Sequence, residues 1–325
     1  MFISPDNQAI LLLCSYLGLP PDPDPAPLTR DEWNVLARKL QASLLKRPGA
    51  MLDLSAGDLQ SQLGLIPEEA HRLVCLLERG GTLAIELERF ESLGIRAITR
   101  ADDDYPQKYR QRLRESAPPV LFFAGEKALL GQPGIAVVGS RNLDEAGKNC
   151  TEFIGNACGR SGLVLYSGGA KGVDSLSMKA CLEARGTVVG ILADSLEKAI
   201  RAPEMRSALS RGDACLVTAH APNVGFSVGN AMGRNRLIYT LADYAIVVAS
   251  DVEKGGTWAG ATEALRKDWI PVFVLEHQDM PNGNRLLLQK GGLPFPHPFQ
   301  EHFSKLWEWL ELNAAQARPS QLNLF

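Results

Sequence analysis

The sequence predicts an α/β protein, a doubly wound and mainly parallel sheet preceded by a small all-helical domain. Three observations point there. From Gly134 onward, short β-branched runs alternate with amphipathic stretches, the order that parallel βαβ units require. The runs are almost continuously apolar, as strands covered on both faces are. The first hundred residues show the i, i+3, i+4 period of helices instead, and 325 residues suffice for about two domains at roughly 150 residues each.

Taken in chain order, Gln8 to Tyr16 is a short apolar helix. It ends at a loop with five prolines between Pro20 and Pro27, where neither helix nor central strand forms. Trp33, Leu36, Leu40 and Leu44 mark one face of a second helix. Further helices are expected over Ala56–Leu63, Pro67–Glu78 and Leu83–Leu93, punctuated by Gly64, Gly80-Gly81 and Gly94. An acidic, proline-bearing linker follows, from Asp102-Asp-Asp-Tyr-Pro106 through Pro118-Pro119. Strands are expected at Ile135–Val138, Leu163–Tyr166, Val188–Leu192, Cys215–Thr218, Ala245–Ala249 and Pro271–Leu275. Helices are expected over Asp144–Ser161, Val173–Arg185 and Thr257–Lys267. A closing helix near Phe299–Leu312 precedes a polar tail, Asn313 to Ser320. The expected domains are residues 1–100, a linker or extension 101–133, the sheet domain 134–298, and a terminal helix and tail 299–325.

Composition sets limits on function. Hydrophobic residues at 45% and charged residues at 22% are ordinary for a folded chain. A net charge of −3 excludes a globally basic nucleic-acid binder but leaves room for a local basic pocket. No apolar stretch reaches the ~20 residues that span a bilayer, and the first residues lack a basic region followed by an apolar run, so no secretory leader is expected. The six cysteines are scattered without a C-x-x-C pair, which suits reduced thiols in the cytoplasm.

In an open parallel sheet, ligands bind beyond the carboxyl ends of the strands, where loops and helix N-termini offer backbone N–H groups. Three loops at such places are unusual. The first strand runs into Gly139-Ser140-Arg141-Asn142, and the second into Ser167-Gly168-Gly169-Ala170-Lys171-Gly172. The third loop, Gly225 to Arg236, reads GFSVGNAMGRNR. Together they are expected to place Arg141, Lys171, Arg234 and Arg236 near one rim. That chemistry suits phosphates: Arg forks for paired oxygens, Lys as a point charge, N–H groups as neutral donors. A single such loop is as readily ordinary turn chemistry; three on one edge favour a ligand. Asp174 is expected to cap its helix. Neither G-x-G-x-x-G nor G-x-x-x-x-G-K-[ST] is present, which disfavours a dinucleotide or a P-loop triphosphate.

Other patterns argue against catalysis. Gly225-Phe-Ser227-Val-Gly229 matches a nucleophile elbow, with Asp243 or Asp251 and His277 downstream, but Pro222-Asn223 interrupts the strand an elbow needs. Gly255-Gly256-Thr257 with Glu263 resembles the signature of enzymes that cleave a base from a nucleoside monophosphate. The Glu stands six residues after the Thr rather than three, and one glycine is missing. The five histidines show no metal-ligand spacing, and Trp307 and Trp309 are expected to pack. No cofactor, metal or catalytic residue is expected.

Val137-Val-Gly-Ser-Arg141, Ser167-Gly-Gly-Ala-Lys-Gly-Val-Asp174 and Gly233-Arg-Asn-Arg-Leu-Ile238 stand in the order and spacing of the DprA/Smf family. Asp103-Asp-Tyr-Pro106, Pro118-Pro-Val-Leu121 and Gly125 resemble it too, so the similarity covers roughly residues 60 to 275. The resemblance implies a Rossmann-like domain without a dinucleotide, preceded by a SAM-like or helix-hairpin-helix domain. It implies a homodimer that binds single-stranded DNA and helps load RecA as single-strand-binding protein is displaced. Carried over position by position, the DNA contacts are Gly139, Ser140, Arg141, Ser167, Gly168, Gly169, Lys171, Gly172, Arg234, Asn235 and Arg236. The chain departs from the family at Lys171, where Arg is usual, and at Gly169, where Leu is common. About fifty residues follow Leu275, too few for the winged-helix domain often found there. The pathway stays open between natural transformation, repair, phage defence and a mobile element. The rival reading is a Rossmann-like enzyme or sensor for a nucleotide-derived small molecule.

The last five residues, Gln321-Leu322-Asn323-Leu324-Phe325, resemble the Q-L-x-L-F peptide by which bacterial replication and repair proteins bind the sliding clamp. Leu322, Leu324 and Phe325 would anchor in an apolar groove while Gln321 fixes register.

Overall fold

The structure is a computed structural model that describes residues 3–20, 22–253, 255–299 and 302–317. Two compact units divide the chain. The first comprises Met1–Ala124, Ser195–Glu197 and Thr218–Val224, and the second comprises Gly125–Asp194, Lys198–Val217 and Gly225–Phe325.

The first unit is built around α1 (Pro5–Cys14), whose Ala9 to Leu13 are all buried. A helix apolar on every side belongs at a core centre, and this one has its partners around it. They are α2 (Arg30–Ala42), α4 (Pro67–Leu77) and α5 (Gly80–Ser92), with α3 (Ala56–Leu63) packed on α4. Their starts are written in side chains. Thr29 and Glu32 form a capping box on α2, Ser55 and Asp58 form another on α3, and Pro67 opens α4. The unit is not purely helical. Strands β1 (Ile95–Thr99) and β2 (Val120–Gly125) pair antiparallel, Ile95 opposite Ala124 and Thr99 opposite Val120. Between them lies α6 (Gln107–Leu113). The stretch read from sequence as a linker is therefore ordered, with buried Tyr105 donating its hydroxyl to the Pro118 carbonyl at 2.8 Å.

The second unit carries the α/β sheet. Its strands are β3 (Gly134–Val138), β4 (Val164–Ser167), β5 (Thr187–Ile191), β6 (Ala214–Thr218), β7 (Tyr244–Val247), β8 (Val272–Glu276) and β9 (Leu293–Pro296). They lie in the order β6-β5-β4-β3-β7-β8-β9, with every described pair in this series parallel. The helices are α7 (Glu145–Ser161), α8 (Val173–Glu183), the single turn α9 (Leu196–Ala199), α10 (Pro203–Arg211), α11 (Val228–Leu241), α12 (Gly255–Lys267), α13 (Asn282–Gln289) and α14 (Leu306–Ala317). The doubly wound sheet read from the alternation is present. Strands β3, β4 and β6 are buried along their whole length, which explains their uninterrupted apolar sequences.

Strand β9 escaped the sequence reading because it reads Leu-Pro-Phe-Pro; prolines are tolerated there because it is an edge strand. The closing helix begins later than expected and runs to Ala317, through most of the stretch read as a polar tail. Trp307 and Trp309 pack as expected, edge-on to Tyr244 at 5.0 Å and tilted against Phe273 at 5.6 Å. All six cysteines are free. Burial pushes the thiols of Cys150 and Cys181 up to about 12, so they are inert core groups.

Candidate nucleic-acid interface

Strand order reverses between β3 and β7, because the chain winds from β3 toward β6 on one side and returns to start β7 on the other. In open α/β sheets the ligand crevice forms at this switch point. Here the turn after β3 is pinned to the turn after β7, the Ser140 N–H donating to the Ala249 carbonyl at 2.8 Å. Buried Asn284 braces the second turn from below. Its Oδ1 accepts from Ser250 N–H at 2.8 Å, and its Nδ2 donates to the carbonyls of Val248 and Leu275, both at 2.9 Å. Sequence reasoning missed Asn284, since a single Asn in an exposed-looking helix carries no pattern.

The first two glycine loops interlock. The Val173 N–H donates to the Ser140 carbonyl at 3.3 Å. Gly172 has φ +90°, and a Cβ there would lie 2.4 Å from the Ser140 carbonyl oxygen and 2.6 Å from the Arg141 Cα. Only glycine lets the two backbones approach this closely. The contact brings the backbone next to Lys171 against that of Arg141, and both side chains are exposed. Gly139 and Ser140 are half-buried, Gly169 is exposed in the left-handed region at φ +68°, and Ser167 is buried, donating to the Val137 carbonyl at 2.7 Å.

The third segment differs from its expected place. Arg234 does not stand on the rim: it is turned inward from α11 and is 8% exposed. Its Nη1 lies 3.7 Å from Oδ2 of Asp174, itself 6% exposed. Asp174 is not the helix cap; Gly172 holds that position and makes no side-chain bond. The carboxylate instead turns back into the second loop, where Ala170 N–H donates to Oδ2 at 3.4 Å and Gly168 N–H also supports the charge. Gly168 is buried between the two groups: a Cβ there would sit 1.3 Å from Arg234 Nη1 and 2.5 Å from Asp174 Oδ2.

Burial disfavours both charges. It raises the Asp174 carboxyl against the pull of Arg234, and lowers the Arg234 guanidinium against the pull of Asp174. The buried Tyr239 hydroxyl is pushed up by desolvation and by the Asp174 charge. Neighbouring Asn235 also serves the fold, donating to the Gly256 carbonyl at 2.8 Å and so tying α11 to α12. Arg236 is half-buried.

The decoys resolve into structural roles. Ser227 caps α11, accepting from Asn230 N–H at 3.0 Å. His277 faces not a serine but Asp144, 3.7 Å from its Oδ2, while Oδ1 caps α7 at Gly147 N–H. Glu263 lines an open groove with Thr262, Arg266 and Lys290. Among the described residues no group of three or more His, Cys, Asp or Glu is arranged to hold a metal, and no helix is long and apolar enough to cross a membrane. Gln321, Leu322, Leu324 and Phe325 lie outside the described residues.

A reversing parallel sheet whose first two turns interlock, each carrying an exposed cation, defines a Rossmann-like protein without a nucleotide fingerprint. The chain belongs to the DNA recombination-mediator protein A family, whose model matches residues 96–298. It is 28% identical over 183 residues to the DNA processing protein DprA of Bacillus subtilis, covering 56% of this chain and 61% of that one. It is 27% identical over 175 residues to the protein Smf of Synechocystis, covering 52% and 43%. The chain thus spans about half the length of these relatives. Among solved structures it resembles DNA processing protein A of Streptococcus pneumoniae, with a TM-score of 0.63 and 23% identity over 82% of this chain and 95% of that one. It also resembles the Helicobacter pylori protein, whose structure gave insights into its unique single-stranded DNA binding mode, with a TM-score of 0.53 and 21% identity over 68% and 96%. At these identities the two structures show a shared fold.

Proposed function

We propose that this chain is a single-stranded DNA-binding recombination mediator that grips the DNA backbone through the rim formed by its first two glycine loops. The observation that carries the reading is the juxtaposition of exposed Arg141 and Lys171 over the Gly172 contact. Two exposed cations on interlocked turns meet phosphates of any sequence, so binding is largely sequence-independent and falls with salt. Gly139, Ser140, Ser167, Gly168, Gly169 and Gly172 shape the rim, with Asn235 and Arg236 behind it. Catalysis has no part in the reading, because Ser227, His277 and Asp144 are engaged in capping and in each other. We place the protein in the cytoplasm as a homodimer, handing single strands to RecA in exchange with single-strand-binding protein. Residues 321–325 are proposed to recruit it to the sliding clamp.

Fluorescence anisotropy of a labelled single-stranded oligonucleotide tests the DNA reading. Wild type binds, and Arg141→Glu/Lys171→Glu weakens binding on all sequences alike. At ~0.7 per phosphate contact on a single strand, losing two contacts lowers the slope of log K against log salt by about 1.4. A folded wild type that binds no oligonucleotide refutes the reading, and a variant that changes only sequence preference refutes backbone recognition.

A further inference from the structure

The sequence assigned the second loop two kinds of phosphate donor, its backbone N–H groups and its lysine. The structure separates them. The amides of Gly168 and Ala170 already serve a carboxylate from within the chain, that of Asp174. Arg234, reaching across from α11, closes over that carboxylate at 3.7 Å and occupies the space where any side chain at position 168 would stand. Both side chains are more than nine-tenths buried, so neither reaches a ligand on the rim.

We infer that Asp174 and Arg234 are positioning residues: their buried pair fills the cradle at Gly168 and Ala170 from inside, so that the loop meets its ligand through Lys171 rather than through those two amides. The inference rests on the reading that the Arg141–Lys171 rim holds a single strand, and it specifies the class of ligand. A free nucleotide needs its phosphate seated among backbone donors at the start of α8, and Asp174 holds that seat with a negative charge of its own. An extended polyanion needs no such seat, since successive phosphates meet side-chain cations along the rim.

The requirement for glycine at 168 follows from the same geometry, because a methyl group there displaces the Arg234 tip. Lys171 lies between Ala170, bonded to Asp174, and Gly172, pressed against Arg141. Its backbone is therefore fixed from both sides. Loss of the pair frees one of those two anchors and leaves the other.

Removing one member of a buried ion pair strands the other charge, whereas removing both is often tolerated. Asp174→Asn alone is therefore expected to lower the melting temperature, and Asp174→Asn/Arg234→Met to regain most of it. Three readouts are then taken on wild type and the double variant: anisotropy with an oligo-dT strand across a salt series, binding of a nucleoside monophosphate, and amide hydrogen exchange of peptides covering 168–172. The folded double variant is expected to bind the strand at least tenfold more weakly, with a salt slope lower by about 0.7, one phosphate contact, and to exchange faster across the loop. Wild type is expected to ignore the nucleoside monophosphate. A folded double variant with wild-type affinity, slope and exchange overturns the inference, as does a nucleoside monophosphate that binds wild type and protects the loop. If wild type fails to bind the strand, the DNA reading falls; faster loop exchange in the double variant then still supports the brace, and unchanged exchange removes it.

Discussion

Gly172→Ala isolates the interlock between the two rim loops. Gly172 has φ +90° and ψ −131°, a conformation that costs an L-residue about 1–3 kcal/mol. The added methyl group also meets backbone, 2.4 Å from the Ser140 carbonyl oxygen and 2.6 Å from the Arg141 Cα. Backbone cannot rotate aside as a flexible side chain does, so one turn must retreat by about 1 Å before contact becomes ordinary, an overpacking cost of roughly 1–3 kcal/mol. Together the expected destabilisation is about 2–6 kcal/mol, together with loss of the Val173-to-Ser140 hydrogen bond. At about 2–4 °C per kcal/mol for a unit of this size, the melting temperature drops by ~4–24 °C. Strand affinity falls with it, because Arg141 and Lys171 are carried apart. Gly162→Ala is the control. Gly162 also has positive φ, +68°, at the C-terminal cap of α7, but a Cβ there meets nothing within 4 Å. It is expected to cost about 1 kcal/mol and to leave strand binding intact. Differential scanning fluorimetry and oligonucleotide anisotropy measure both effects. A Gly172→Ala protein that melts and binds like Gly162→Ala refutes the idea that the loops are held by close backbone approach.

Two further expectations concern the rest of the chain. In the first unit, the Arg72 guanidinium holds the Glu32 carboxyl down to about 2 from an ordinary 4.5, with Thr29 helping. Its stabilising effect is therefore complete above pH ~4.5 and lost as pH falls toward 2. Glu32 is largely solvated, so the gap in urea stability between wild type and Glu32→Gln is expected to be only about 0.5–1 kcal/mol at pH 7 and to close by pH ~2; a gap unchanged by acid assigns it to packing instead. At the other end, deleting residues 321–325 is expected to abolish capture by the sliding clamp in a pull-down while leaving strand affinity intact, and loss of both together removes the case for an independent peptide.

The alternation of strands and helices was legible because it rests on local periods of 2 and 3.6 residues, each written within a dozen positions. Capping was not read: the boxes Thr29 with Glu32 and Ser55 with Asp58 emerged only in the structure, and the cap expected at Asp174 is held by Gly172 instead. The rim glycines showed themselves as glycines beside cations after strands. Strands β1, β2 and β9 did not: two prolines mask β9, and β1 and β2 flank a stretch whose acidic and proline character reads as a linker. The direction in which a charged side chain points was equally hidden. Arg141 and Arg234 look alike in sequence, both within two residues of a glycine and both on the expected edge, yet one is exposed and the other buried. What separates them is Asp174, sixty residues before Arg234 in the chain. The loop after β4 and the helix before β7 bring the two together, and only there does a carboxylate offset the cost of burying a guanidinium. Sequence by itself determined most of the helices, the buried parallel strands and which loops follow them. Tertiary structure decided which cations stay exposed and which are buried against a carboxylate, because charge burial is settled by partners that no local period can encode.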